Sequence, residues 1–354
     1  MAINPHDTQS THAPATGSSV VNTFVQNSTG IIELNRPKAL NSLNQEMVDL
    51  IREALDKWID DDAVHRVLIY SASERAFCAG GDVRAVREAI LEGDQEVAFH
   101  YFVEEFMMND DLGTFPKPVI SVIDGVVMGG GLGVSMHGSH RVVTEKSFAS
   151  MPEMAIGYTP DVGFTYFIQQ VTSLAIGKFL AVTGWRMSPA DMLWAGVATD
   201  FIESKDVGAF QQTIIERSLE EALDEFRSQP EEESRLAQIA ADIEATFDFG
   251  SWKLIDEALT AHGDQEFIAQ VRELMSGTSP SAVVAAIVLM EANRDAGTLR
   301  KGLDNELVIS LHMLRQPDFA EGVRAVLVDK DRNPAFQPAT SEQVDETVFQ
   351  ALLA

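Results

Sequence analysis

The sequence predicts an α/β fold with a partly parallel sheet, followed by a region made almost entirely of helices. Short apolar runs rich in branched residues, typical of buried strands, occur at residues 67–70, 119–123 and 141–143. Glycine-rich loops follow the first two runs, and helical periodicity lies between them. The recurring order of strand, loop and helix is typical of α/β proteins.

The elements can be assigned in chain order. Two β-like stretches, residues 20–26 and 31–35, are separated by the turn sequence Asn27-Ser28-Thr29-Gly30. Apolar residues between Met47 and Ile59 recur at spacings of three and four, which predicts an amphipathic helix. The strand at 67–70 leads into the loop 78–82, and two helical segments fill residues 83–112. The strand at 119–123 leads into a triple glycine at 129–131.

Changes in composition divide the chain into three parts. Residues 1–19 are rich in small and polar types, lack the features of secretory and transit peptides, and are expected to be a disordered tail. Residues 20–205 carry the strand signals and are predicted to form the α/β core. Residues 206–354 consist of long periodic segments with few strand signals, which predicts a helical C-terminal region.

Composition and charge exclude several classes of function. The chain has 354 residues and a net charge of −28, which argues against binding to nucleic acid or to an anionic membrane surface. No apolar run approaches the roughly 18 residues of a membrane helix. The single cysteine, Cys78, rules out an intrachain disulfide, and the histidines show no metal-ligand spacing. We therefore expect a cytoplasmic protein without a metal site.

Two glycine-rich turns follow buried strands and are candidates for ligand contact. They are residues 77–82, which end in Gly80-Gly81-Asp82, and residues 125–133, which include Gly129-Gly130-Gly131. Free backbone N–H groups in such turns can bind an anion or a developing oxyanion, although both could be ordinary tight turns. Asp82 is also placed to cap the next helix. Neither turn matches a Walker A or a dinucleotide-binding motif.

Two acids lie in an apolar stretch punctuated by proline and glycine. Glu153 follows Pro152, and Asp161 follows Pro160. Apolar surroundings raise carboxyl pKa values toward the range useful for proton transfer, but Glu153 could also face solvent and Asp161 could cap a helix. A serine nucleophile at Ser135 is a weaker hypothesis, because the sequence around it matches a nucleophile elbow only loosely.

These segments together resemble the crotonase (enoyl-CoA hydratase/isomerase) superfamily. The resemblance covers the chain from about residue 20 to its end and rests on residues 77–82, 125–133, 151–153 and 160–163. Residues 128–131, 137–138, 144–146, 321–325 and 329–334 are most similar to the branch that hydrolyses 3-hydroxyisobutyryl-CoA. The resemblance implies a crotonase-like spiral of ββα units.

The resemblance also assigns roles to residues of this chain. It implies that the amides of Gly81 and Gly130 form an oxyanion hole for a thioester carbonyl, and that Glu153 acts with Asp161 in catalysis. The position of the first glutamate of enoyl-CoA hydratases is Gly133 here, which puts hydration in doubt. Glu105 is expected to contact substrate. The segment that lines the CoA arm corresponds to Arg36, Lys38, Ala39 and Leu40.

The implied activity is hydrolysis of a short 3-hydroxyacyl-CoA, most specifically of 3-hydroxyisobutyryl-CoA to 3-hydroxyisobutyrate and CoA in valine breakdown. No cofactor is expected beyond the CoA of the substrate. Enoyl-CoA hydration or isomerisation, and a non-catalytic acyl-CoA-binding role, remain alternatives. The sequence is compatible with a homo-oligomer. Phe164 stands where glycine is common in the superfamily, so a reshaped acyl pocket is a further hypothesis.

Overall fold

The computed structural model of the protein describes residues 19–354. The predicted disordered tail, residues 1–19, lies outside the described residues except for Ser19. The strands are β1 (Val21–Gln26), β2 (Thr29–Leu34), β3 (Arg66–Ser71), β4 (Ala76–Cys78), β5 (Val119–Ile123), β6 (Val126–Met128), β7 (His140–Val143), β8 (Phe148–Ser150), β9 (Asp200–Ile202) and β10 (Arg227–Ser228).

The α-helices fall into two groups. Those of the first group are α1 (Gln45–Trp58), α2 (Val83–Glu92), α3 (Gln95–Thr114), α4 (Gly130–Met136), α5 (Phe164–Val171), α6 (Leu174–Thr183) and α7 (Pro189–Trp194). Those of the second are α8 (Val207–Glu216), α9 (Leu219–Phe226), α10 (Arg235–Gln238), α11 (Ala240–Phe247), α12 (Trp252–Ala261), α13 (Gln265–Leu274), α14 (Pro280–Arg294), α15 (Leu299–Met313), α16 (Pro317–Val323) and α17 (Thr347–Leu353). The second group makes up nearly all of the regular structure after residue 205.

The larger sheet has the strand order β1-β2-β3-β5-β7-β9-β10. Its inner strands from β2 to β9 pair in parallel, and β1 and β10 pair antiparallel at the two edges. The β1–β2 hairpin turns at Asn27 and Ser28, which both have positive φ, as a two-residue hairpin turn requires. The predicted turn at residues 27–30 is therefore shorter in the structure, because Thr29 and Gly30 already pair with Gln26 and Val25 as the start of β2.

A smaller parallel sheet has the order β4-β6-β8. Along the chain, β3 is followed by β4, β5 by β6 and β7 by β8. The first strand of each pair belongs to the larger sheet and the second to the smaller sheet, and a helical or 3-10 segment follows each pair. This arrangement confirms the spiral of ββα units implied by the resemblance. The helices after β4 and β6 had been predicted from periodicity and from the glycine-rich turns.

Both faces of the larger sheet are covered. On one face, Ile31, Leu68 and Ile120 are aligned across β2, β3 and β5. They pack in a cluster that includes Phe210 and Ile214 of α8. The other face joins the main core, which extends into the C-terminal helices. The central strand β5 is buried along its whole length, and its sequence Val-Ile-Ser-Val-Ile is almost entirely apolar, as expected for a strand covered on both sides.

The C-terminal helices pack onto the part of the core where the smaller sheet ends. Helix α15 contacts α3 and α5, and α16 contacts α2 and the 3-10 turn Glu153–Ile156. The Arg87 guanidinium donates a 2.8 Å hydrogen bond to the Ala320 carbonyl across this contact. The division of the chain at residue 205 stays a prediction. Within residues 19–354, no helix has the length and apolar character needed to cross a membrane.

Candidate active site

The candidate site lies at the carboxyl edge of the β4-β6-β8 sheet. Because these strands are parallel, the loops that follow them meet at one edge. These loops carry residues 79–82, residues 129–130 and the 3-10 turn Glu153–Ile156. A cavity of about 450 Å³ opens there. Its lining includes Leu40, Ser42, Ala79, Gly80, Gly81, Asp82, Val83, Arg84, Phe102, Glu105, Met128, Gly129, Gly130, Pro152, Glu153, Ala155, Ile156, Tyr158, Asp161, Val326 and Leu327.

Two backbone amides on this lining are free to bind a ligand. Among the described residues, neither the Gly81 nor the Gly130 N–H has a hydrogen-bond acceptor. The two groups are close together, because a β-carbon at Gly130 would lie 3.2 Å from the Gly81 nitrogen. Two adjacent amide donors in a cavity can hold one carbonyl oxygen and stabilise the negative charge that develops on it during acyl transfer.

The glycine turn at 129–130 is held against two carboxyl groups. A β-carbon at Gly129, where φ is +46°, would lie 2.7 Å from Glu153 Oε1. A β-carbon at Gly130 would lie 2.5 Å from Glu105 Oε1. Both distances are too short for a side chain, so glycine at these positions allows the carboxyl groups to approach the backbone directly.

The cavity brings together the three predicted acids Glu105, Glu153 and Asp161. Their exposed fractions are only 2%, 6% and 4%. None forms a salt bridge with another described residue. Glu105 Oε1 and Glu153 Oε2 lack a hydrogen-bond partner within the described part of the chain. Glu153 therefore does not face solvent. Buried carboxyl oxygens without partners are expected where a substrate or water is to bind.

Burial shifts the pKa values of all three acids upward. It raises the pKa of Asp161 to about 7, although the nearby Tyr158 hydroxyl opposes the rise. It also raises the pKa values of Glu105 and Glu153 well above their ordinary range, and the neighbouring charge of Asp161 adds to both shifts. Because like charges disfavour one another, ionisation of one of these carboxyl groups makes ionisation of the others less favourable.

An aromatic wall closes the inner side of the cavity. The Tyr158 ring lies 5.4 Å from the Phe102 ring and 5.8 Å from the Phe319 ring, measured between centroids. Phe319 belongs to α16, and Val326 and Leu327 come from the π-helical turn Arg324–Val328 that follows it. Sequence reasoning missed these residues because they lie far along the chain and look like ordinary core positions.

The predicted CoA-contacting segment is only partly at the cavity. Leu40 lines it, whereas Arg36, Lys38 and Ala39 do not. The Arg36 guanidinium forms an ion pair of 2.9 Å with Asp82, whose side chain lines the cavity. Lys38 is exposed. Asp82 also accepts a hydrogen bond from the Ala85 amide and so caps α2, as predicted.

Several alternative roles are not supported by the geometry. The Ser135 hydroxyl donates to the Gly131 carbonyl of its own helix at 2.9 Å, and the ring of His137 contacts the Val162 carbonyl instead of a serine. Phe164 is buried in the main core and does not line the cavity, so it does not reshape the acyl pocket directly. Residues 19–354 contain no group of three or more His, Cys, Asp or Glu side chains arranged to hold a metal ion.

The space beside Gly133 is filled. A β-carbon at this position would lie 2.7 Å from Asn109 Oδ1 and 2.7 Å from Val162 Cβ. Both neighbours are fully buried, which leaves them little room to move aside. A glutamate projecting from this position, as the resemblance places it in the hydratases, does not fit the present packing.

Comparison with known proteins assigns the chain to a family. Residues 29–353 match the family model described as enoyl-CoA hydratase/isomerase. The chain belongs to this family. It is 38% identical over 328 residues to the mitochondrial 3-hydroxyisobutyryl-CoA hydrolase of Xenopus laevis, covering 90% of this chain and 84% of the relative. The protein of the same name from Homo sapiens is 36% identical over 328 residues with the same coverage. The predicted resemblance is confirmed.

Solved structures of two family members have the same fold along almost their whole length. A carnitinyl-CoA dehydratase from Mycobacterium thermoresistibile is 34% identical with a TM-score of 0.88, covering 94% of this chain and 96% of that one. An enoyl-CoA hydratase from Rhodobacter sphaeroides is 34% identical with a TM-score of 0.86, covering 95% and 97%. The shared fold therefore includes the helical C-terminal region.

The packing around Gly133 predicts a loss of stability on substitution. We expect Gly133→Ala to lower the free energy of unfolding by about 1–3 kcal/mol, because the added methyl group overpacks the contact with Asn109 and Val162. Gly208→Ala, in α8, is the matched control, since nothing lies within 4 Å of a β-carbon there. That change should be neutral or stabilising by up to about 1 kcal/mol. Urea denaturation measures both, and equal effects would contradict the packing argument.

The raised pKa of Asp161 predicts a pH-dependent gain in stability when the carboxyl is removed. Burial raises this pKa from 3.8 to about 7, so the folded protein holds a proton that the unfolded chain loses between those values. The stability of the wild type therefore falls as the pH rises through this range. Asp161→Asn has no carboxyl group at this position and does not lose stability in this way. The free energy of unfolding of the variant minus that of the wild type should therefore increase by roughly 2–4 kcal/mol from pH 4 to pH 7.5.

Urea denaturation of the wild type and of Asp161→Asn over this pH series gives the difference directly. The value at the lowest pH serves as the internal reference, because the folded forms of both proteins are uncharged at position 161 there. A difference that is the same at every pH would show that the Asp161 carboxyl titrates normally in the folded protein.

Proposed function

We propose that the protein hydrolyses the thioester of 3-hydroxyisobutyryl-CoA, releasing 3-hydroxyisobutyrate and CoA. The observation that carries this proposal is the placement of Glu153 and Asp161 on the same cavity as the free amides of Gly81 and Gly130. The relatives that are 36–38% identical over about 90% of the chain bear the name of this hydrolase. The carboxyl groups and donors required for acyl transfer are therefore all at one site.

The proposed reaction begins with the thioester carbonyl oxygen accepting hydrogen bonds from Gly81 and Gly130. Glu153 then attacks the carbonyl carbon as a nucleophile or takes a proton from an attacking water molecule. The C–S bond breaks, the sulfur takes up a proton, and CoA leaves as the thiol. If Glu153 is the nucleophile, water then cleaves the anhydride between Glu153 and the acyl group and frees the Glu153 carboxylate. In either route one water molecule supplies the hydroxyl of the new carboxyl group and the proton that the sulfur takes up. Asp161 orients Glu153, the water or the substrate hydroxyl.

The two amide donors should account for a large share of the rate. Loss of one oxyanion donor costs about 100- to 1000-fold in other enzymes, because the donors are already oriented in a site with little water. The aromatic wall lowers the local dielectric constant around the cavity, which strengthens these hydrogen bonds. Apart from water and the acyl-CoA itself, this chemistry uses no cofactor.

The cavity size favours a short acyl group. A space of about 450 Å³ also has to admit part of the pantetheine arm, so a four-carbon acyl group fits better than a long chain. We propose that Glu105 contacts the acyl group and that Arg36, Lys38, Ala39 and Leu40 lie along the CoA arm. Local cations are needed there because the chain carries a net charge of −28.

The wider setting of the reaction follows from the same proposal. Hydrolysis of this thioester would place the enzyme in valine catabolism. We keep the cytoplasm as the proposed location, although the eukaryotic relatives carry the word mitochondrial in their names. A homo-oligomer is compatible with this proposal.

Enoyl-CoA hydration is the second candidate. It is favoured by the names of the two solved structures at 34% identity, a dehydratase and a hydratase. The filled space at Gly133 opposes it, because the cavity lacks a second glutamate at the position expected for hydratases. A non-catalytic acyl-CoA-binding protein would have no need for three buried carboxyl groups that lower its stability.

The first test is release of free thiol from a panel of short acyl-CoAs. We expect rapid release from 3-hydroxyisobutyryl-CoA and at least a 1000-fold loss of kcat in Glu153→Gln, because the amide neither attacks nor accepts a proton. Asp161→Asn should lose about 100-fold or more. Both variants should remain folded by circular dichroism. Near-wild-type hydrolysis by Glu153→Gln would contradict the proposed mechanism.

The adjacent glutamates of α3 provide a matched pair for testing the role of Glu105. Glu105 is buried at the cavity, whereas Glu104 does not line the cavity and forms an ion pair with Arg52 of α1. We expect Glu105→Gln to lower kcat/KM by at least about tenfold and Glu104→Gln to change it by less than about twofold. Equal kinetic effects from the two substitutions would mean that Glu105 does not contact the substrate.

A further inference from the structure

The turn that carries Asp161 has an unfavourable backbone conformation. Val162 is a β-branched, fully buried residue with a φ of +57°, and Gly163 follows with a φ of +84°. A β-branched residue in this region costs about 1–3 kcal/mol, so the conformation persists only if its surroundings hold it in place. Residues that hold this turn also determine where the Asp161 carboxyl points.

One contact that holds the turn comes from His137, immediately after α4. Its Nε2 lies 2.7 Å from the Val162 carbonyl oxygen. A carbonyl oxygen can only accept, so Nε2 carries the hydrogen. Burial lowers the pKa of His137 to about 4, which keeps the ring neutral at physiological pH. A β-carbon at Gly163 would lie 2.6 Å from this ring, so the histidine also packs directly against the turn.

The second contact is a buried carboxylate from the C-terminal region. Glu306, on α15, is fully buried. Its Oε2 accepts a hydrogen bond of 2.5 Å from the Gly163 amide, and its Oε1 accepts bonds of 2.9 Å and 2.5 Å from the Thr165 amide and hydroxyl. The side-chain amide of Asn293, on α14, donates to the same Thr165 hydroxyl oxygen at 2.6 Å. Glu306 therefore fixes the turn to the start of α5.

The direction of these hydrogen bonds favours an ionised carboxyl group. All three partners of Glu306 donate, and the Thr165 hydroxyl already accepts from Asn293. A proton on Glu306 would compete with one of these donors. Burial raises the pKa of Glu306 to about 8, and the hydrogen bonds from Thr165 and Gly163 oppose this rise. An amide in its place would turn an NH₂ group toward an N–H donor.

We infer that Glu306 is a positioning residue that holds the Asp161–Val162–Gly163 turn and satisfies the first amides of α5, so that Asp161 remains free to face the cavity. The start of a helix needs an acceptor for its free amides. Asp161 is the nearest carboxyl group along the chain that could replace Glu306 in this role. Loss of Glu306 would therefore draw Asp161 toward the helix and away from the substrate. This inference rests on the proposed function.

Glu306→Gln tests the inference. We expect kcat for 3-hydroxyisobutyryl-CoA to fall about 100-fold, as a misplaced catalytic group implies, with KM changed by less than about threefold. In the Asp161→Asn background, Glu306→Gln should lower kcat no further, because its effect passes through Asp161. Hydrogen exchange at the amides of residues 163–165 should become faster.

Asp191→Asn is the matched control. Asp191 is another buried carboxylate that accepts from the Trp185 indole, the Ser234 hydroxyl and the Leu236 amide, and it does not line the cavity. This variant should lose stability while kcat at a temperature well below its Tm changes by less than about twofold. If Glu306→Gln does not fold, Thr165→Val removes the hydroxyl that donates to Glu306 and accepts from Asn293, and leaves the Gly163 and Thr165 amide bonds to Glu306 in place. It should give a smaller loss of kcat with the same non-additivity.

The outcomes separate this inference from the proposed function. Wild-type kcat in Glu306→Gln, or a full additional loss in the Asp161→Asn background, would overturn the positioning role while thiol release by the wild type still supports hydrolysis. No thiol release by the wild type would overturn the proposed function. In that case unchanged amide exchange in Glu306→Gln would also show that Glu306 does not hold the turn in place. Faster exchange at residues 163–165 would support that role of Glu306.

Discussion

The burial of three carboxyl groups around one small cavity is the constraint on which the rest of the structure depends. Glu105, Glu153 and Asp161 are almost fully enclosed and form no salt bridge within residues 19–354, so folding removes them from water at a cost in stability. The same burial raises their pKa values. The cavity thus places carboxyl groups with raised pKa values next to two free amides. The buried carboxyl groups therefore lower the stability of the protein at the place where its chemistry needs them.

The helical C-terminal region completes this environment. The turn after helix α16 supplies Val326 and Leu327 to the cavity wall, and Phe319 of α16 packs against the Tyr158 ring that lines it. Helix α15 supplies Glu306 to the turn that carries Asp161. These apolar residues help to exclude water from the cavity, and such desolvation raises carboxyl pKa values. The catalytic unit therefore spans the whole described chain, even though the strands and the glycine loops lie before residue 205.

Local sequence patterns predicted most of the fold and the main residues of the site. Alternating strands and glycine loops predicted an α/β fold with a partly parallel sheet, and the family resemblance implied the spiral. The acids in the apolar segment made Glu153 and Asp161 candidates, and the resemblance assigned them to catalysis. Long-range packing could not be predicted, because no pattern in the chain places Phe319 against Tyr158 or gives Val162 a positive φ. One signal for Glu306 was present: an acid among the buried, three-and-four-spaced positions of α15. The roles assigned to Arg36, Lys38 and Ala39 stay predictions.

The relatives include proteins named as hydrolases and solved structures named as a dehydratase and a hydratase. The position at which the oxygen atom of water enters the product distinguishes hydrolysis from hydration. The protein should be incubated with 3-hydroxyisobutyryl-CoA and with crotonyl-CoA in ¹⁸O-labelled water, and the products analysed by mass spectrometry after many turnovers. Hydrolysis predicts label in the carboxyl group of free 3-hydroxyisobutyrate together with unlabelled CoA thiol. Label on the third carbon of an intact acyl-CoA, without free thiol, would contradict hydrolysis as the function of this site.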